Sequence, residues 1–115
     1  MARIALVSSE LAPLRGWGAG TYAALNVLAL SRHGHEVHLF TDAPGAVERG
    51  GALFPGVTIT AIDTSSGDAA LPGYDCDHLR YSLAAMRALR AAHARTPFDV
   101  IEFPDVGAEA YFTLR

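Results

Sequence analysis

Two stretches of this chain hold residues whose types and spacing could do chemistry. The first runs from Glu10 through Arg15, Gly16, Trp17, Gly18 and Gly20 to Thr21. Glycines that open a helix expose backbone N–H groups and the positive end of the helix dipole, which together form a site for an anion. An arginine beside them can grip a phosphate bidentately. The second stretch holds Glu102 and Asp105, with Glu109 four residues further on. Carboxylates placed there can act as general bases or accept hydrogen bonds from sugar hydroxyls.

Each of these residues also has a structural role open to it. Gly18 and Gly20 can simply let a helix pack close to a strand. Arg15 can be a solvated surface arginine, and Glu10 can bond loop backbone. Asp105 can cap a helix, and Glu109 suits a first helical turn. Trp17 and Tyr22 can stack on a sugar ring or anchor a loop. His33, His35 and His38 divide among a helix end, a turn and a strand, so a tetrahedral metal ion would demand backbone strain. Cys76 has no histidine partner in the pattern and reads as helix-start filler, not as a nucleophile.

The elements that must position these groups follow from periodicity. Residues 3–8 read as a strand whose middle, Ile4–Val7, is a continuous apolar run, the mark of a strand covered on both faces. Residues 20–33 carry Tyr22, Leu25, Leu28 and Ala29 at helical spacing, with Gly34 placed to end the helix. Glu36 to Thr41, Val57 to Ile62 and Asp99 to Phe103 read as further strands. A long helix is expected from about Asp77 to Arg95, with Leu79, Leu83, Met86 and Leu89 as its buried stripe and Arg80, Arg87 and Arg95 on other faces. The segments Ala43–Gly56 and Asp63–Asp75 are rich in Gly, Pro, Ser and Asp and read as loops. A last helix is expected from Val106, with the chain stopping inside it. The order β-α-β-β-α-β-α predicts an α/β fold, a Rossmann-like three-layer sandwich around a mostly parallel sheet, and an incomplete one. In such sheets ligands bind at the carboxyl ends of the strands.

Composition narrows the functions. With 115 residues the chain is one domain at most. Half of the residues are apolar, enough for a buried core. A net charge of −3 leaves no electrostatic footprint for nucleic acid. All 9 basic residues are arginine, which excludes lysine chemistry. The single cysteine forms no internal disulfide and fits a reducing, cytoplasmic setting. No apolar run reaches the ~20 residues of a membrane span, and no secretory signal pattern opens the chain.

Taken together, Ser8-Ser-Glu-Leu-Ala-Pro13, the loop Gly16-Trp-Gly-Ala-Gly20-Thr-Tyr22, Gly34-His-Glu-Val-His-Leu-Phe-Thr41 and Phe98-Asp-Val-Ile-Glu-Phe-Pro-Asp105 with Gly107, Glu109 and Tyr111 resemble the N-terminal domain of family 4 glycosyltransferases. That group includes glycogen and starch synthases and has the two-domain GT-B fold. The resemblance covers nearly the whole chain. It implies part of a retaining transferase that moves a sugar from a nucleotide-sugar donor to a sugar or glycan acceptor, without a metal or other cofactor. Arg15, Gly16, Gly18 and Gly20 would face the donor diphosphate. Glu10, Trp17, Thr21 and Glu109 would lie toward the acceptor, and Glu102 and Asp105 near the transfer point. The donor-binding C-terminal domain would be the missing partner, and 1–115 alone, a truncated acceptor-side domain, is expected to be inactive. Peripheral membrane contact by the whole enzyme and self-association through an open sheet edge also belong to this expectation. The chain departs from the family pattern twice. Trp17 stands where the first loop glycine is usual, and Glu102-Phe-Pro-Asp105 replaces a histidine after the fourth strand.

Two rival classes stay open. Gly18-Ala-Gly-Thr-Tyr-Ala23 fits the dinucleotide-binding pattern G-x-G-x-x-A, with Asp42 as the ribose partner. Against an oxidoreductase domain, nine residues separate Ser8 from Gly18, whereas that fingerprint follows its strand at once. The third class is a non-catalytic α/β binding module.

Overall fold

The computed structural model describes residues 1–16, 18–64, 77–104, 109–110 and 113–114. Trp17, Cys76, Asp105, Gly107 and Tyr111 therefore lie outside the described residues, as does the proposed start of the last helix. Four strands and three helices are described: β1 (Arg3–Val7), α1 (Gly18–Arg32), β2 (Glu36–Thr41), α2 (Ala46–Leu53), β3 (Thr58–Ala61), α3 (Asp77–Arg95) and β4 (Val100–Glu102). The strands form one all-parallel sheet in the order β3-β2-β1-β4. The α/β class and the parallel sheet agree with the sequence reading.

Alternation along the strands feeds two cores. Ala5, Val7 and Phe40 point to one face, where they meet Tyr81, Ala85, Leu89 and Ala92 of α3. Leu6, Val37 and Leu39 point to the other, where they meet Ala23 and Val27 of α1 and Ala46 of α2. The sheet is thus the middle of three layers, and Ile4–Val7 of β1 reads as an unbroken apolar run because both faces are covered.

Three expectations need correction. Ala43–Gly56 is not a loop throughout, since α2 occupies residues 46–53. Gly45 precedes it with φ 76°, a left-handed conformation open to glycine. Gly50 is buried against Ile59 of β3. A glycine in a helix lowers its propensity by about 1 kcal/mol, and here close packing on the sheet outweighs that.

The second correction is to α1. Its buried face is Gly20, Ala23 and Val27, while Tyr22 and Leu25 are 59% and 63% exposed. The third is to α3, where Leu83 and Leu89 are buried as expected but Tyr81, Ser82, Ala85 and Ala92 complete the face, and Leu79 and Met86 are only half-buried. In both helices small residues meet the sheet, which lets the layers approach closely.

The opposite end of the sheet, away from the strand C-termini, is tied by Arg3. Its guanidinium pairs with Glu36 at 2.8 Å and lies 4.5 Å from the Phe98 ring centre. Its backbone N–H donates to Asp99 at 2.7 Å. Nearby, His38 stacks on Phe40 at 4.3 Å and shares a 2.6 Å hydrogen bond with Thr60. Burial, aided by the positive charges of Arg3 and Arg95, pushes the His38 pKa down and keeps the ring neutral. His35 accepts a bond from the Ala2 N–H at 3.0 Å. Both histidines thus hold structural contacts.

Candidate functional site

Strand order reverses between β1 and β4, so the carboxyl ends of these two strands flank the crevice where open α/β sheets bind ligands. Register sets Leu6 of β1 beside Glu102 of β4. Glu102 is held from the α1 side. Asn26 Nδ2 donates to its Oε1 at 3.0 Å, and the Tyr22 hydroxyl donates to the same oxygen at 3.3 Å. These bonds hold the N-terminal half of α1 against the crevice. In every α-helix the first-turn N–H groups have no intrahelical acceptor, so Gly18, Ala19 and Gly20 carry donors suited to an anion.

The loop between β1 and α1 folds back on itself. Leu11 is fully buried, and its C=O accepts from Leu14 and Arg15 at 2.7 and 2.8 Å. The Leu11 N–H donates to Arg15 C=O at 2.8 Å, and the Ala12 N–H to Gly20 C=O at 3.1 Å. The Ala12–Pro13 peptide bond is cis. Loop amides 11, 12, 14 and 15 are therefore committed to carbonyls of the loop and of Gly20.

The glycines divide by role. Gly16 has φ +83°, and a side chain on it would run into Glu10. Gly20 is buried where a β-carbon would meet loop backbone. Gly18 faces open space. Thr21 is exposed on the first turns of α1.

Arg15 reaches across to the end of β2. Its Nη1 pairs with Asp42 Oδ1 at 2.8 Å and donates to Ser9 Oγ at 3.1 Å, while Nη2 donates to Asp42 C=O at 3.3 Å. Ser9 Oγ donates to the same Asp42 oxygen at 2.9 Å. The Arg15 side chain stays 37% exposed, so a ligand can still reach it. Arg15 lies beside the loop as its position predicts, but its partners Ser9 and Asp42 are not evident from local spacing. The signal for Asp42 was its position just past β2, level with Ser9 past β1.

Glu109 joins the same cluster and is 6% exposed. One carboxylate oxygen accepts from the Ser9 N–H at 3.0 Å. The Tyr81 hydroxyl is buried facing it, outside strict hydrogen-bond geometry. Burial pushes the Glu109 pKa up to about 7, assisted by the charges of Asp42 and Glu10 and opposed by Tyr81 and the Ser9 amide. Burial likewise raises the Tyr81 pKa, keeping the phenol protonated. Glu109 thus fastens β1 from inside, where the sequence reading had it toward the acceptor.

A pH dependence follows from that burial. The folded pKa lies above the unfolded one, so the stabilisation is complete below about pH 4.5 and is lost as pH rises through about 7. Glu109→Gln keeps an acceptor for Ser9 and cannot ionise. It is expected to match the wild type near pH 4 and to exceed it by about 3 kcal/mol at pH 8. Thermal denaturation at both pH values checks this, and an equal difference at the two would show that Glu109 ionises normally.

Among the described residues, no group of three or more His, Cys, Asp or Glu could hold a metal ion, and no helix is long and apolar enough to cross a membrane. Compared with protein-family models, curated proteins and solved structures, this chain matches none.

Proposed function

We propose that this chain is the acceptor-side domain of a retaining glycosyltransferase, and that the start of α1 faces the diphosphate of a nucleotide-sugar donor. The observation that carries the reading is the position of the α1 N-terminus at the β1–β4 crevice, with Arg15 in reach on one side and Glu102 on the other. The resemblance to family 4 supplies the chemistry. As the donor diphosphate departs, negative charge grows on it, and preorganised N–H donors with a guanidinium stabilise that charge without covalent participation. Arg15 is held by Asp42 until a phosphate competes for it, so Asp42 acts as a positioning residue. Glu102 accepts hydrogen bonds from α1 and has acceptor capacity left for a sugar hydroxyl.

Titration of the isotope-labelled chain with UDP-, GDP- and ADP-glucose, read through amide shifts of Gly18, Ala19 and Gly20, tests this. Saturable shifts are expected from at least one nucleotide sugar, and Arg15→Gln should weaken that binding by about tenfold. Saturable NAD(P) binding with no response to any nucleotide sugar would instead make this a dinucleotide-binding domain with Asp42 on the ribose.

A further inference from the structure

On the α3 face of the sheet, the layer opposite α1, lies a recess of about 160 Å³. Met86, Leu89 and Ile101 give it apolar walls, and Arg90, His93 and Thr113 bring polar groups to it. The polar groups share one character. The Phe98 N–H donates to His93 Nδ1 at 3.1 Å, which leaves the proton of the neutral ring on Nε2 as a donor. The Thr113 hydroxyl is buried without a hydrogen-bond partner. Arg90 is exposed, and among the described residues no carboxylate pairs with it. Among the described residues, no acidic side chain lines the recess.

We propose that this recess is a binding site for a small carboxylic acid with an apolar body about the size of a benzene ring. The volume fits, because a cavity of about 150 Å³ with aliphatic walls admits benzene in another protein. Donors without matching acceptors select an anion, and a guanidinium fork suits a planar carboxylate. A buried hydroxyl lacking a partner is costly and gains one when a carboxylate oxygen arrives. Apolar walls with a few convergent polar groups are the usual composition of a small-molecule site. The site is separate from the β1–β4 crevice, because α3 and α1 cover opposite faces.

Benzoate is the probe and benzyl alcohol its neutral control, both titrated into the isotope-labelled chain. Benzoate should give saturable amide shifts at Leu89, Ile101 and Thr113 with a Kd of about 1 mM, the range open to so small a ligand. Arg90→Gln, a surface change that leaves the fold intact, should weaken benzoate by about tenfold and leave benzyl alcohol unaffected. Thr113→Val should also weaken benzoate. The proposal is overturned if benzoate gives no saturable shift up to about 20 mM. It is equally overturned if benzyl alcohol binds as tightly, or if the shifts fall on Gly18–Gly20 instead.

Discussion

Phe40→Ala is expected to destabilise the protein by about 3–5 kcal/mol, a large share of the stability of any domain this size. Phe40 is fully buried on β2, an interior strand of the sheet. Its ring stacks on His38 and meets Phe98 edge-on at 6.0 Å between ring centres. The other residues of this core include Ala5, Ala85 and Ala92, which cannot reach into the space the ring would vacate. The cavity therefore persists, and cavity cost adds to the lost transfer free energy. Urea denaturation at neutral pH should show a lower midpoint with an unchanged slope. His38 would lose its stacking partner and part of its burial, so its titration should move back toward the ordinary histidine range. Val47→Ala, at a 51% exposed position on α2, is the control and should stay within about 0.5 kcal/mol. A loss below about 1 kcal/mol for Phe40→Ala would mean that the α3 core is loosely packed.

The same core explains what could be read in advance and what could not. The strands Arg3–Val7 and Glu36–Thr41 were legible because burial on both faces concentrates apolar residues there, Ile4–Val7 in one and Val37, Leu39 and Phe40 in the other. The helix faces were not. Apolar periodicity weights the largest side chains, so it selected Tyr22 and Leu25 on α1. The α1 face of the sheet, however, already carries bulk in Leu6, Val37 and Leu39, and close packing asks for Gly20 and Ala23 opposite them. Helix α2 was hidden for a related reason. Gly50 and Gly51 argue locally for a loop, and only the contact of Gly50 with Ile59, distant in sequence, gives that glycine its purpose. At the candidate site, residue types along one loop pointed to Arg15 and the glycines. Asp42 lies 27 residues from its partner Arg15 and Glu109 lies 100 residues from its partner Ser9, so no local pattern encodes either pairing.

Gly20→Val and Gly18→Val should then separate architecture from ligand contact. At Gly20 a β-carbon would lie 2.8 Å from the Arg15 carbonyl oxygen, 3.0 Å from the Leu11 nitrogen and 3.2 Å from the Ala12 nitrogen. All three atoms are backbone, so no rotamer change relieves the clash. The loop must lift from α1, breaking the Ala12-to-Gly20 hydrogen bond and drawing Arg15 away from Asp42. A loss of about 3 kcal/mol is expected, with nucleotide-sugar binding lost as well. At Gly18 nothing lies within 4 Å of the added carbon, so Gly18→Val should leave the unfolding midpoint nearly unchanged. Yet its side chain would stand at the helix start, where the proposed diphosphate would approach the N–H groups. Nucleotide-sugar affinity should therefore fall by at least about tenfold in a protein as stable as the parent. Should Gly18→Val bind nucleotide sugars as the parent does, the glycines of this passage serve packing alone, and the diphosphate does not sit at the start of α1.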